Sequence, residues 1–131
     1  MLLRAAGLSG YFKVINMNDK IKPLELAIIN KRNQRDNMHE QMKSIKKAHL
    51  LDILEASKDK EQARALNLTN EKGRALALEE RLEADPEYQR YVAASDTLSN
   101  ELELVQVDLG YEKRAFQVWY VENMKIANGV E

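Results

Sequence analysis

The chain has 131 residues, 31% of them charged and 44% apolar, with a formal net charge of −1. Five glycines and two prolines favour long uninterrupted helices over a sandwich or barrel. The absence of cysteine excludes disulfides, thiolate catalysis and Cys-ligated zinc and agrees with a cytoplasmic setting, while the small net charge gives no bulk signal for nucleic acid.

Charge is divided unevenly along the chain. Residues 1–66 hold 13 Lys and Arg against 8 Asp and Glu, an excess of +5, and residues 67–131 hold 7 against 13, an excess of −6. Antiparallel helical arms of opposite charge satisfy each other by proximity; the alternative leaves the first arm available to phosphate.

The N-terminal "MLLRAAGLSGYFKVIN" is apolar but interrupted by Gly7, Gly10 and Lys13, so it lacks the unbroken core of a secretory signal. No run approaches the ~20 apolar residues that a membrane span needs. Met17, in "MNDKIKPLE", reads as a second start. Residues 1–17 are therefore expected to be a dispensable apolar leader, and 18–131 a single helical hairpin domain. The other reading of the leader is a short segment packed on a neighbouring apolar surface.

Pro23 fits the first turn of a helix, with Asn18 or Asp19 as caps, and the helical pattern from Leu24 runs to about Leu66. Steps of four and three through Leu24, Ile28, Met38, Met42, Ile45 and His49 trace one seam, which Leu50, Ile53 and Leu54 widen. A helix of about 40 residues is roughly 60 Å long and must pack against another of like length or against a second subunit.

Between Ile29 and Met38, "NKRNQRDN" interrupts the seam, with Lys31 and Arg35 on seam positions. One reading is a polar stutter that sets register or oligomeric state. The other is a basic contact patch of Lys31, Arg32, Arg35, Lys43, Lys46 and Lys47 that meets phosphate or an acidic partner. No aromatic residues interleave these positions, so a base-stacking platform is not indicated.

In "LNLTNEKGRALALEERL", Thr69 or Asn67 is the expected cap of a short helix whose face is marked by Ala75, Leu78 and Leu82 and which ends near Ala84. In "EADPEYQRY", Asp85 is an N-cap and Pro86 the first helical residue, so the stretch is a corner into a second long helix. That helix should run to about Ala127 and stop at Asn128 and Gly129. Its seam is Tyr91, Ser95, Leu98, Leu102, Val105, Leu109, Glu112, Phe116, Trp119 and Asn123, a heptad trace over more than four heptads.

The expected fold is all-α: an elongated antiparallel hairpin of two long helices with a short connector helix, coiled-coil-like and oligomeric. The expected oligomer seam is Met38, Met42, Ile45, Leu98, Leu102, Val105, Leu109, Phe116 and Trp119. Tyr111, Phe116, Trp119 and Tyr120 gather near one end of the last helix, as core and self-association residues or as a docking site for another protein.

Little points to catalysis or a cofactor. Asp36 and His39 have the carboxylate-x-x-His spacing of helical di-metal sites, but those need two such motifs and two further carboxylates. Glu79, Glu80 and Glu83 fall on a solvent-facing helix without an apolar pocket to raise a pKa, and no phosphate loop or nucleophile elbow appears. The chain reads as a non-enzyme with no cofactor and no metal.

The order "LTNEKGRALALEERLEADPEYQRY", followed by "LELVQVDLGYEKRAFQVW", resembles small helical coiled-coil accessory proteins of phages and prophages. Asn70, Glu71, Lys72, Arg74, Asp85, Pro86, Glu87 and Tyr88 carry the resemblance, which covers roughly residues 66–120. Gly73 stands where a stronger helix former would be expected, at a cost of up to about 1 kcal/mol relative to alanine. The resemblance implies a mobile-element accessory factor working in the host cytoplasm beside recombination or replication genes, and it transfers no catalytic residue. The expected partners are a second copy, as a homodimer or higher closed oligomer, and a host or phage protein in DNA metabolism or defence. DNA itself is the alternative partner, a virion or scaffold component a further one, and no membrane is expected.

Overall fold

The computed structural model describes the backbone of residues 2–127 and 129 and the side chains of 19–126 and 129. Among these residues there are four helices and no strand: α1 (Leu2–Ser57), α2 (Lys60–Ala65), α3 (Glu71–Ala84) and α4 (Pro86–Ala127).

The first helix differs from expectation at both ends. Pro23 lies inside α1 instead of opening it, and Asn18 and Asp19 are helical residues, not caps. A proline in a helix interior lacks the N–H for the carbonyl four residues back and crowds it. Pro23 is exposed, so water can serve that carbonyl. The backbone of the leader belongs to α1, while the expectation about its packing concerns side chains outside the described residues.

At its other end α1 stops at Ser57, short of Leu66, and a separate turn of helix follows. Asp59 is extended (φ −87°, ψ 117°), and its carboxylate accepts from the amides of Glu61 and Gln62, which starts α2. The end of α2 is set by Asn67, which takes φ +59°. The Leu68 amide then donates to the Ala63 carbonyl at 2.7 Å and the Asn67 amide to that of Arg64 at 3.3 Å. This is a Schellman closure with asparagine in the left-handed position that glycine usually fills. Asn67 thus closes a helix instead of opening one. The cap of α3 is neither Asn67 nor Thr69 but Asn70, whose Oδ1 accepts from the Gly73 amide at 2.7 Å.

The same turn explains Gly73. A Cβ at this position would collide with the backbone oxygen of Asn67, so the weak helix former is required by a close approach across the turn. Around it, Ile53 from α1, Ala63 from α2 and Leu68 from the turn form a buried cluster, packed by Ala56, Ala77 and Leu78. The inner face of α3 holds Gly73, Leu78 and Leu82, but Ala75 is exposed. Arg74 is turned inward in its stead, donating to the Leu68 carbonyl at 3.2 Å.

The corner forms as its sequence dictates. Asp85 ends α3, its amide donating to the Leu82 carbonyl at 3.3 Å, and begins α4, its Oδ1 accepting from the amides of Glu87 and Tyr88 at 3.0 and 3.2 Å. Gln89 closes the joint by donating from Nε2 to the same Leu82 carbonyl. Beyond α4, Gly129 takes φ +69°, the left-handed stop expected there, and Asn128 lies outside the described residues.

The chain divides into two compact units, Met1–Arg32 with Asn100–Glu131, and Asn33–Ser99. In the first, Lys31 of α1 pairs with Glu101 of α4, and Glu25 with Lys113. In the second, His39 of α1 meets Ser95 of α4, and His49 meets Asp85. Partners ascend on one helix as they descend on the other, so α1 and α4 pack antiparallel within each unit.

Candidate interaction surfaces

The heptad trace of α4 is its inner face throughout. Ser95 and Leu102 are buried, and Tyr91, Leu98, Val105, Leu109, Glu112, Phe116, Trp119 and Asn123 are half-buried. On α1, Ile28 is buried and Leu24, Lys31, Arg35, Met38, Met42, Ile45 and His49 are half-buried. Of the nine residues expected on an oligomer seam, Leu102 is buried in the single chain and the other eight are half-buried. Alternation by three and four identifies a coiled-coil face but not whether the facing helix belongs to the same chain.

The polar positions on and beside this face are tied across it. In the first unit Lys31 Nζ lies 2.8 Å from Glu101 Oε2. In the second, His39 Nε2 and Ser95 Oγ share a hydrogen bond of 2.8 Å, and His49 Nε2 donates to Asp85 Oδ2 at 2.7 Å. The His49 hydrogen bond, followed by the Tyr88 and Glu87 amides, holds the Asp85 carboxyl below the usual aspartate range. Arg35 differs: its Nε is buried and has no hydrogen-bond partner among the described residues.

The His39–Ser95 pair has the atoms of a base and a nucleophile without the access. Ser95 is only 5% exposed and lies on the inner face of α4, out of reach of a substrate carbonyl. Among the described residues, no three His, Asp or Glu side chains are grouped to hold a metal ion.

The six basic candidates separate. Lys31 and Arg32 belong to the first unit, with Lys31 inward and paired and Arg32 exposed; Arg35, Lys43, Lys46 and Lys47 belong to the second. Lys43 and Lys46 border one open groove with Asp36, His39, Glu40, Met42 and Tyr88. Lys43 also pairs with Glu40 one turn away at 3.4 Å, so acid and base are mixed there.

The aromatic cluster is divided as well. Phe116 packs near Trp119 (centroids 6.0 Å) and near Tyr120 (6.3 Å), whereas Tyr111 points to the other side of α4 and is 67% exposed. There it joins a row that the sequence reading passed over. Leu104, Val107, Tyr111, Val118 and Val121 are 51–68% exposed and are again spaced by three and four, with Arg114 at the one polar step. The signal was present in the sequence as a second heptad trace offset by two residues, masked by the stronger inner one. Among the described residues no helix is long and apolar enough to cross a membrane. No family model matches the chain, and neither does any curated protein or solved structure.

Proposed function

We propose that this chain is a non-enzymatic, self-associating interaction protein of the phage accessory type, an adaptor or inhibitor that binds a protein partner in DNA metabolism or host defence. The observation that carries the self-association is the outer apolar row of α4, exposed on the side away from its inner face. Monomers rarely expose contiguous apolar surface of more than a few hundred Å² without using it for contact. The acidic side chains Glu79, Glu80, Glu83 and Glu87 are exposed, a charge that suits a partner whose own surface is basic.

The test is affinity capture of the tagged chain from host lysate with and without nuclease, followed by mass spectrometry. A near-stoichiometric protein that survives nuclease supports an adaptor or inhibitor and names its target. The second reading, a DNA-binding accessory protein for recombination or replication, rests on the exposed Lys43, Lys46 and Lys47 of α1. It predicts partners that vanish with nuclease and an affinity that falls steeply with salt.

A further inference from the structure

We infer that the outer face of α4 is the self-association surface, and that two copies of this chain join there with their α4 helices antiparallel. The inference deepens the self-association in the proposed function and rests on it.

Leu104, Val107, Tyr111, Arg114, Val118 and Val121 alternate strictly by three and four, the narrow stripe of a two-helix seam and not the broad face of a helix on a globule. All six lie in one unit, so the surface is complete within it. The five apolar members together expose on the order of 500 Å², and two such faces supply roughly the 1,000 Å² that a specific interface needs.

The one charged position selects the occupant and its direction. In a parallel pair Arg114 would meet its own copy across the seam, two like charges taken out of water with no counter-ion between them. In an antiparallel pair the row is self-complementary about its middle: Leu104 faces Val121 of the other copy, Val107 faces Val118, and Tyr111 faces Arg114. Each arginine then lies against a tyrosine ring, a cation–π contact made twice by the two-fold axis. Shifting the register by a heptad in either direction loses two of the six layers.

The test uses sedimentation velocity of the full chain over micromolar to 100 µM concentrations. A reversible dimer is expected, and Val107→Glu and Val118→Glu should each weaken it by about a hundredfold or more with helicity unchanged, since both side chains are exposed in the single chain. Because the chain has no cysteine, direction is read from mixed Val107→Cys and Val118→Cys chains under oxidation. The antiparallel pair gives the 107–118 cross-link, because its two 107 positions lie roughly 16 Å apart. A monomer throughout this range, a dimer indifferent to both glutamates, or cross-linking of 107 to 107 would each overturn the inference. None of these outcomes touches the capture experiment, which decides the partner reading separately.

Discussion

His49 Nε2 and Asp85 Oδ2 are 2.7 Å apart, and the same aspartate holds two amides of the first turn of α4 through its other oxygen. One carboxylate thus fixes where α4 begins and ties that point to α1. Asp85→Ala should lower the melting temperature more than Asp85→Asn, because asparagine keeps an oxygen for the amides. His49→Phe should resemble Asp85→Asn.

The pair also gives the fold an acid edge. The folded-state pKa of Asp85 is depressed, so the stability it contributes is full above the unfolded aspartate value, about 4, and is lost as pH falls through the lower folded value. Thermal melts between about pH 6 and pH 2 should show a decline below pH 4 that is shallower in Asp85→Asn. Equal slopes in the two proteins would count against this carboxylate as a source of the decline.

Two glycines in helices should respond to alanine with opposite signs. At Gly73 the added methyl meets the Asn67 carbonyl, so the variant should lose about 1–3 kcal/mol despite its better helix propensity. At Gly110 a Cβ meets nothing within 4 Å, so alanine should add up to about 1 kcal/mol. Urea denaturation of both variants at concentrations favouring the single chain checks the pair.

The cluster at the α1, α2 and α3 meeting point should be the most sensitive apolar site. Ile53 and Leu68 are essentially fully buried, and truncating either to alanine should cost about 2–5 kcal/mol. Leu104→Ala, at a side chain 68% exposed, should leave the midpoint of the dilute single chain within experimental error.

Leu102 separates the two faces of α4. It is only 4% exposed, so Leu102→Asp buries a carboxylate without a partner and should cost several kcal/mol in the single chain, seen as lost helicity by circular dichroism. Val107→Glu should leave the spectrum unchanged. Normal helicity in Leu102→Asp would place the inner seam elsewhere.

The helices and their inner faces were legible because each long helix repeats one spacing many times: every seam position read from Tyr91 to Asn123 is buried or half-buried. The corner at Asp85 was legible because its cap, proline and acid are contiguous. Pro23 misled because a proline suits a first turn but does not forbid helix upstream. The break after Ser57 was overlooked although Asp59 and Asn67 mark both ends of α2, since the apolar pattern runs through it. Gly73, His39 with Ser95 and Lys31 with Glu101 depend on chain segments brought together by folding, which spacing along one helix does not encode.

Asp85 is the whole of the joint between α3 and α4, ending one helix and starting the next with no loop residue in between. Such a joint has no slack for changes of length. One residue inserted just after Pro86 would turn the rest of α4 by about 100° against its cap and carry Ser95 off the face that meets His39. Seven would restore the phase to within about 20°. A change of length just after this corner should therefore keep α4 on its inner face only when it comes as whole heptads.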